Sequence, residues 1–406
     1  MTVAVSIGLL FCQWFVRIEG SIRSELYPKG WPNRQYATTL HRAIAEGASN
    51  DISPGVMIAH ESLKTAFGVL LASSGGSTSD EIREAMTFRL RDHPHSENTR
   101  TNHLKSDLDK FKESSYVGAY IPSDLKISPE FEAKIQDMGA EVMHSFGSST
   151  LEELSVKLED VSFKLRDSVS IDDLPFNLFW PELFILTADS FKAVWADADF
   201  HQENRRMREF NVDKRRRTFV DTLYGLAKRR QVAHLHGLRA SMLILPLKDS
   251  RVKFMVLLPD RVNGLKQLES ELEFVDLRSL LEKKMDTRMY DVRLPVINLL
   301  TNLELADNLG LLGIRQAFNP KQANFSRIAG INQHLWIRRF PHLTYFKLDE
   351  NGINSQKPKK QSQVRYDGDT TNHFYASHPF FFALLDKHKI YATGRYGQLS
   401  VDPDDM

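Results

Sequence analysis

Three sets of residues have the types and spacing to do chemistry. The first is the stretch from Lys347 to Phe380, in which an apolar, strand-like run (Leu343 to Leu348) gives way to a polar segment before a second apolar run, Pro379 to Leu385. A segment of that length without periodicity inside a compact domain is either a surface linker or a working loop. The second set is basic: Arg205, Arg206, Arg208, Lys214, Arg215, Arg216 and Arg217, followed by Lys228, Arg229 and Arg230. Only Glu203, Glu209, Asp213 and Asp221 lie among them. Such a run is ordinarily a solvated face. Arginine forks also match sulfate and phosphate oxygens, so a polyanion site is the functional reading, and processing by a basic-residue protease is a third. The third set is His342 with Ser53 and Ser62. A hydrolytic set would also need an acid and an oxyanion donor, and no spacing in the chain supplies them.

Other chemistry is weakly represented. The chain has no G-x-S-x-G, H-E-x-x-H, G-x-x-x-x-G-K or G-x-G-x-x-G. His60-Glu61 is adjacent rather than at ligand spacing, and His234 and His236 have no carboxylate at a matching spacing. Asp367-Gly368-Asp369 holds two hard ligands of a calcium loop without the rest, and reads as a turn. No metal and no cofactor is expected, and the chain is not expected to be an enzyme.

The elements that must position these residues come from ordinary globular material. The chain has 406 residues, of which 42% are hydrophobic, enough for a large core. The net charge of +1 exerts no global pull toward nucleic acid or membrane. The run Val3 to Val16 ends at Arg17, with Gly20 and Ser21 as small residues for cleavage, so residues 1–20 read as a secretory signal peptide. Cys12 is the only cysteine and lies inside that signal, which removes disulfides and thiolate chemistry from residues 21–406. Asn324-Phe325-Ser326 is the only glycosylation sequon, so Asn324 is a candidate glycan site.

Helical spacing marks 37–48 and 61–71, and Thr78 with Glu81 reads as a capping box opening the next helix. Asn98 to Glu113 has a charged helical period, Ser115 to Ile121 alternates as a strand, and Pro129 to Met138 is a helix before a further extended segment at 139–142. Leu183 to Phe200 reads as strand, Met242 to Pro259 as two buried strands around a turn, and Leu265 to Leu272 as an amphipathic helix.

In sequence order these landmarks resemble the serpin family. Asp349-Glu350-Asn351-Gly352 and Phe374-Tyr375-Ala376-Ser377-His378-Pro379-Phe380 resemble the two anchors of a serpin reactive-centre loop. Ser53-Pro54 with Ser62, the stretch Thr187 to Trp195, Leu245-Pro246, Leu258-Pro259-Asp260, Val292 to Pro295, Leu303 to Ser326 and Gly394-Arg395 resemble further family motifs. The resemblance spans Ala37 to Arg395, except at Leu151 to Pro181, where the family's tryptophan-containing helix and following turn are not visible. It implies one α+β domain over 21–406, with three β-sheets, eight or nine helices and an exposed reactive loop at about 353–373. It implies a serine protease as target or cleaver; the signal segment adds an extracellular setting, the basic run a sulfated glycan as further partner, and a monomer is expected. Ser53, Ser62, Thr187 and His342 would form the sheet-opening cluster, with Asn50 beside them. Thr187 stands where the family has asparagine, and Asp189 and Ser190 replace apolar residues, so that cluster is expected to be weakened. The scissile region would be Arg365, Tyr366, Asp367 and Gly368.

Inhibitory members trap a protease by inserting the cleaved loop as a central strand of the main sheet. The hinge here is Glu350, Gly352, Ile353, then Ser355, Lys357, Pro358 and Lys359. By period 2, the face that starts at Ile353 carries Ser355, Lys357 and Lys359 into the core. Neutralising each buried lysine costs roughly 4–7 kcal/mol if its pKa falls by ~3–5 units, and Pro358 removes a ladder donor. The sequence therefore predicts a non-inhibitory serpin, a binding or carrier module or a protease substrate. An inhibitor with bait near Arg365-Tyr366 is the alternative.

Overall fold

The computed structural model describes residues 35–47, 55–90, 111–122, 125–145, 148–170, 182–196, 200, 202–329, 335–355 and 372–397. The signal segment 1–20, Asn50, Ser53 and the loop residues 356–371, with Lys357, Pro358, Lys359, Arg365, Tyr366, Asp367 and Gly368, lie outside them.

The chain begins with α1 (Tyr36–Gly47), β1 (Gly55–Ala59), α2 (His60–Ser73), α3 (Gly76–Leu90), β2 (Lys112–Pro122), α4 (Pro129–Asp137), β3 (Glu141–Ser145) and α5 (Ser148–Val161). Six strands follow: β4 (Glu182–Val194), β5 (Arg206–Asn211), β6 (Arg217–Arg229), β7 (Gln231–Leu235), β8 (Ala240–Pro246) and β9 (Lys253–Pro259). Then come α6 (Leu265–Leu272), α7 (Leu277–Leu280), β10 (Met289–Pro295), β11 (Ile297–Glu304), α8 (Leu305–Gly310) and α9 (Ser326–Ala329). The chain closes with β12 (Trp336–Arg339), β13 (Pro341–Asp349), β14 (Gly352–Ile353), β15 (His373–Tyr375), β16 (Phe380–Leu385) and β17 (Ile390–Tyr396). Among the described residues there are thus nine α-helices and three sheets, as expected.

The sheets differ in how they are covered. The six-stranded sheet, β1-β17-β16-β9-β8-β7, has near-continuous apolar strands because both its faces are buried: against α6 and α7 on one side and the other sheets on the other. A Cβ on Gly394 would lie 2.2 Å from the Phe382 ring, so only glycine lets that ring stack over Phe346 and Phe254. Beside it, Arg395 donates to the Ala45 carbonyl and pairs with buried Glu269, which also meets His41 at 3.1 Å. This ionic set ties α1 and α6 to the sheet. The four-stranded sheet runs β15-β10-β6-β5. The seven-stranded sheet runs β11-β13-β14-β4-β2-β3, with β12 also on β4.

The seven-stranded sheet is the one that matters for the loop. Its inner face packs on α2 and α4 through residues such as Val117, Ile185 and Phe340. Across its outer face lies α5, whose Leu154 and Leu158 cover Ala188 of β4 and Leu343 of β13. The stretch 151–181, where the family pattern is not visible, thus contains a helix over this sheet. Its apolar residues Leu151, Leu154 and Leu158 recur at helical spacing.

Two local readings are corrected. Thr78 and Glu81 do not form a capping box, because α3 already starts at Gly76. Thr78 Oγ1 accepts instead from the Asn324 amide, and Glu81 accepts from the Arg315 and Gln316 amides, so both bind a distant turn. The helical period at 98–113 ends in strand, since Lys112 and Glu113 belong to β2; 98–110 lie outside the described residues.

Candidate functional site

β4 and β13 lie side by side in parallel at the centre of the seven-stranded sheet. They pair directly at only four positions: His342 with Thr187, Leu343 with Ala188, Thr344 with Asp189 and Tyr345 with Ser190. Above Tyr345 they part, and β14 sits between them. Gly352 and Ile353 pair antiparallel with Asp349 and Leu348 on one side and with Val194 and Ala193 on the other. The proximal end of the loop has therefore entered the sheet by two residues. Gly352 has φ +132°, and a Cβ there would lie 2.2 Å from the Ala193 carbonyl oxygen, so both conformation and space require glycine. Ile353 is fully buried, as the alternation at the hinge predicts, and Ser355, past the end of β14, is buried too.

Around this entry the chain is pinned by named side chains. The Trp195 indole, itself buried, donates to the Asp349 carbonyl at 2.9 Å. Arg205 bridges Asp221 of β6 and Glu350 of the hinge. The first arginine of the basic run is thus a hinge brace.

The seam below the hinge is polar and closed to solvent. Ser62, Thr187, Asp189 and His342 are all nearly or completely buried. His342 Nε2 accepts from the Ala59 amide at 3.1 Å, which leaves its Nδ1 to carry the proton and donate to Thr187 Oγ1 at 2.7 Å. Thr187 therefore bonds the imidazole through its hydroxyl. Ser62 donates to Asp189 Oδ2 at 2.5 Å, and His342 Nδ1 lies 3.9 Å from the same oxygen. Sequence reasoning missed Asp189 as a member; the signal was its place in an otherwise apolar strand, two residues from Thr187. Burial pushes the Asp189 carboxyl up to about 7 against the Ser62 hydroxyl, and burial holds His342 down to about 3. Serine, histidine and aspartate thus meet, but not as a hydrolytic triad. The serine bonds the carboxylate rather than the imidazole, and no substrate can reach a fully buried group.

The distal end of the loop lies on the four-stranded sheet. β15 runs parallel to β10, with His373, Phe374 and Tyr375 opposite Asp291, Val292 and Arg293. Buried Asp291 accepts from Tyr375 at 2.6 Å and Tyr224 at 3.2 Å and also pairs with His373. The Arg293 guanidinium sits 4.0 Å over the Tyr375 ring. His378 donates to the Pro259 carbonyl, while Phe374, Ala376 and Phe380 are buried in the core.

The comparisons agree with this architecture. The family model described as Serpin (serine protease inhibitor) matches residues 33–398. The chain belongs to the serpin family. It is 24% identical over 382 residues to the leukocyte elastase inhibitor of Xenopus tropicalis, covering 89% of this chain and 97% of that protein. Its fold matches that of Serpin48, described as a highly specific serpin of the insect Tenebrio molitor, with a TM-score of 0.71, 21% identity and coverage of 89% and 96%. It matches human thyroxine-binding globulin in complex with thyroxine equally well, at TM-score 0.71, 17% identity and coverage of 89% and 96%. Proteins similar to this chain thus include an elastase inhibitor and a thyroxine-binding globulin.

The remaining candidates of this serpin are placed as follows. Of the basic run, Arg206 and Arg208 lie in β5, Arg217 opens β6, and Lys214, Arg215 and Arg216 lie in the turn between them. Arg216 is paired with Asp213, Arg217 with Glu209, and Arg206 donates to the Glu203 and Arg205 carbonyls. Arg208, Lys214 and Arg215 are exposed and make no ion pair among the described residues. His234 meets His236 at 3.1 Å and also Asp260, a carboxylate from a distant turn that its own sequence neighbourhood does not show. A cavity of about 180 Å³ lies nearby, lined by Arg239, Asp260, Arg261 and Gln267. That is below the roughly 300–1,000 Å³ of ordinary small-molecule sites. Asn324 lies in a tight turn, its Oδ1 accepting from the Ser326 amide.

Proposed function

We propose that this serpin meets an extracellular serine protease through its reactive loop and is cleaved by it, or binds it, without trapping it by full loop insertion. The observation that carries this is the burial of Ile353 within the paired strand β14, which sets the parity that a longer inserted strand would follow. With that parity, Lys357 and Lys359 would turn into the core, and Pro358 would leave one ladder position without its donor. A trypsin-like protease tests the reading. Clean cleavage near Arg365-Tyr366, no SDS-stable complex and a nearly unchanged melting temperature after cleavage are expected. A stable complex, or a large rise in melting temperature, overturns it.

One observation favours the second reading, an inhibitor. Ile353 faces Ala193. Counting four residues on along the loop and four back along β4 brings Lys357 opposite Asp189. A buried lysine facing a buried carboxylate would recover much of its desolvation cost. The same cleavage assay decides between the two. Secretion is proposed from Val3 to Val16 and Gly20, and N-terminal sequencing that starts near Ser21 is the expected result. Glycosylation at Asn324 would appear as a mass shift lost in Asn324→Gln. Binding of sulfated glycan is proposed for the exposed cations Arg208, Lys214 and Arg215, which make no ion pair among the described residues.

A further inference from the structure

Where β14 stops, β13 and β4 have diverged by one strand's width below it and then rejoin at Tyr345 and Ser190. A wedge of that kind exposes backbone groups with no partner strand, and buried peptide groups need partners. The residue at its tip is Asn354. Its backbone has φ +44°, a left-handed conformation that asparagine tolerates better than other side chains and that ends a strand. The backbone N–H donates to the Lys347 carbonyl at 2.8 Å. The side chain then does what the next inserted residue would do. Oδ1 accepts from the Lys347 amide at 2.8 Å. Nδ2 faces the Phe191 carbonyl at 2.8 Å, the Tyr345 carbonyl at 3.1 Å and Ser190 Oγ at 3.1 Å. The orientation of the amide follows from these partners, since an N–H must face oxygen and carbonyls must face the NH₂ group.

We infer that Asn354 is a positioning residue: its carboxamide latches the hinge two residues into the sheet by bonding both β13 and β4 in place of a further strand residue. The latch works in both directions. Withdrawal of the hinge would strip partners from Lys347 and Phe191. Advance would require Asn354 to leave the left-handed region and give up the same bonds before His342 to Tyr345 part from Thr187 to Ser190. A carboxamide suits the place because its donor and its acceptor sit on separate atoms, so one side chain can bond both strands at once. The inference deepens the non-inhibitory reading and rests on it in one respect: with the latch gone, the hinge moves outward rather than further in, because Lys357 and Pro358 follow.

Two variants of the full chain test this. Asn354→Gly keeps the left-handed backbone and deletes the amide; Asn354→Ala deletes the amide and strains the backbone. Hydrogen exchange at the Lys347 and Ile353 amides, and thermolysin cleavage at the Gly352–Ile353 bond, report the position of the hinge. In both variants exchange at these amides is expected to rise at least tenfold and cleavage to quicken by a similar factor. Amides in the β16–β17 pair stay unchanged, which separates local release from general destabilisation. An Asn354→Gly protein that exchanges and cleaves like the wild type overturns the latch, since the backbone conformation alone would then hold the hinge. A wild-type melting temperature that rises sharply on loop cleavage overturns the non-inhibitory reading and leaves the latch standing.

Discussion

The two segments that flank residues 356–371 are held in opposite ways. The proximal end is a two-residue strand wedged above a polar seam, held by one buried aliphatic side chain, Ile353, and by hydrogen bonds to β13 and β4. The distal end is anchored by buried rings, with Phe374 and Phe380 in the core and an aspartate gripped by two tyrosines and a histidine. Hydrogen bonds exchange partners at little net cost, whereas removing large apolar surface from a core costs several kcal/mol. The proximal end is therefore the movable one and the distal end the fixed one. The contrast is also visible in side-chain choice. Small and polar residues, Gly352, Asn354 and Ser355, surround the single aliphatic Ile353 at the first; aromatic residues dominate the second.

The largest expected effect is at the seam and depends on pH. Asp189 titrates at about 7 in the fold against an ordinary value of 3.8, and His342 at about 3 against 6.5. Between pH 3.8 and 6.5 the folded pair holds its proton on Asp189 and the unfolded pair on histidine, so the two slopes cancel. Each single variant should uncover the other group. In His342→Gln, stability is expected to fall as pH rises from 3.8 to 7, by about 4 kcal/mol at 1.36 kcal/mol per unit. In Asp189→Asn it is expected to fall as pH drops from 6.5 to 3. Urea midpoints at several pH values check both, and a flat profile in either variant would break the account of the seam.

The hinge comes next. Gly352→Val should expel β14, because its Cβ would meet the Ala193 carbonyl, exposing Ile353 at a cost of about 2–3 kcal/mol. Calorimetry of wild type and variant measures the loss. At the distal end, Asp291→Ala should cost about 1–3 kcal/mol by leaving the Tyr375 and Tyr224 hydroxyls without their acceptor. It should raise exchange at the Ala376 amide, which donates to Arg293, without moving the hinge. Release of the proximal hinge in that variant would show that the two anchors are coupled rather than separate. The smallest effect is on the β5–β6 ribbon. Heparin retention should fall with salt. Lys214→Ala with Arg215→Ala should lower the eluting salt more than Arg217→Ala, whose guanidinium already faces Glu209.

Much of this was legible in the chain itself. Landmarks such as Gly352, His378-Pro379-Phe380 and Gly394-Arg395 each answer a local requirement: a positive φ, a buried ring, a glycine under an aromatic stack. Such requirements act over a few residues and leave a readable trace. The alternation that buries Ile353 was equally readable, because side-chain parity in a strand has period 2. What only the tertiary structure decided are the partnerships across long sequence separations. Ser62 lies 127 residues from Asp189, and Arg205 lies 145 from Glu350. Thr78 and Glu81 carry a sound capping signal and yet serve a turn more than 230 residues away. The basic run looked uniform in sequence, but folding distributes it over β5, a turn and β6 and sets a carboxylate against several of its members. The latch at Asn354 exists only because two strands part by one strand's width beside it. That gap is a property of packing, set by where β14 stops, and no spacing of residues along the chain encodes it.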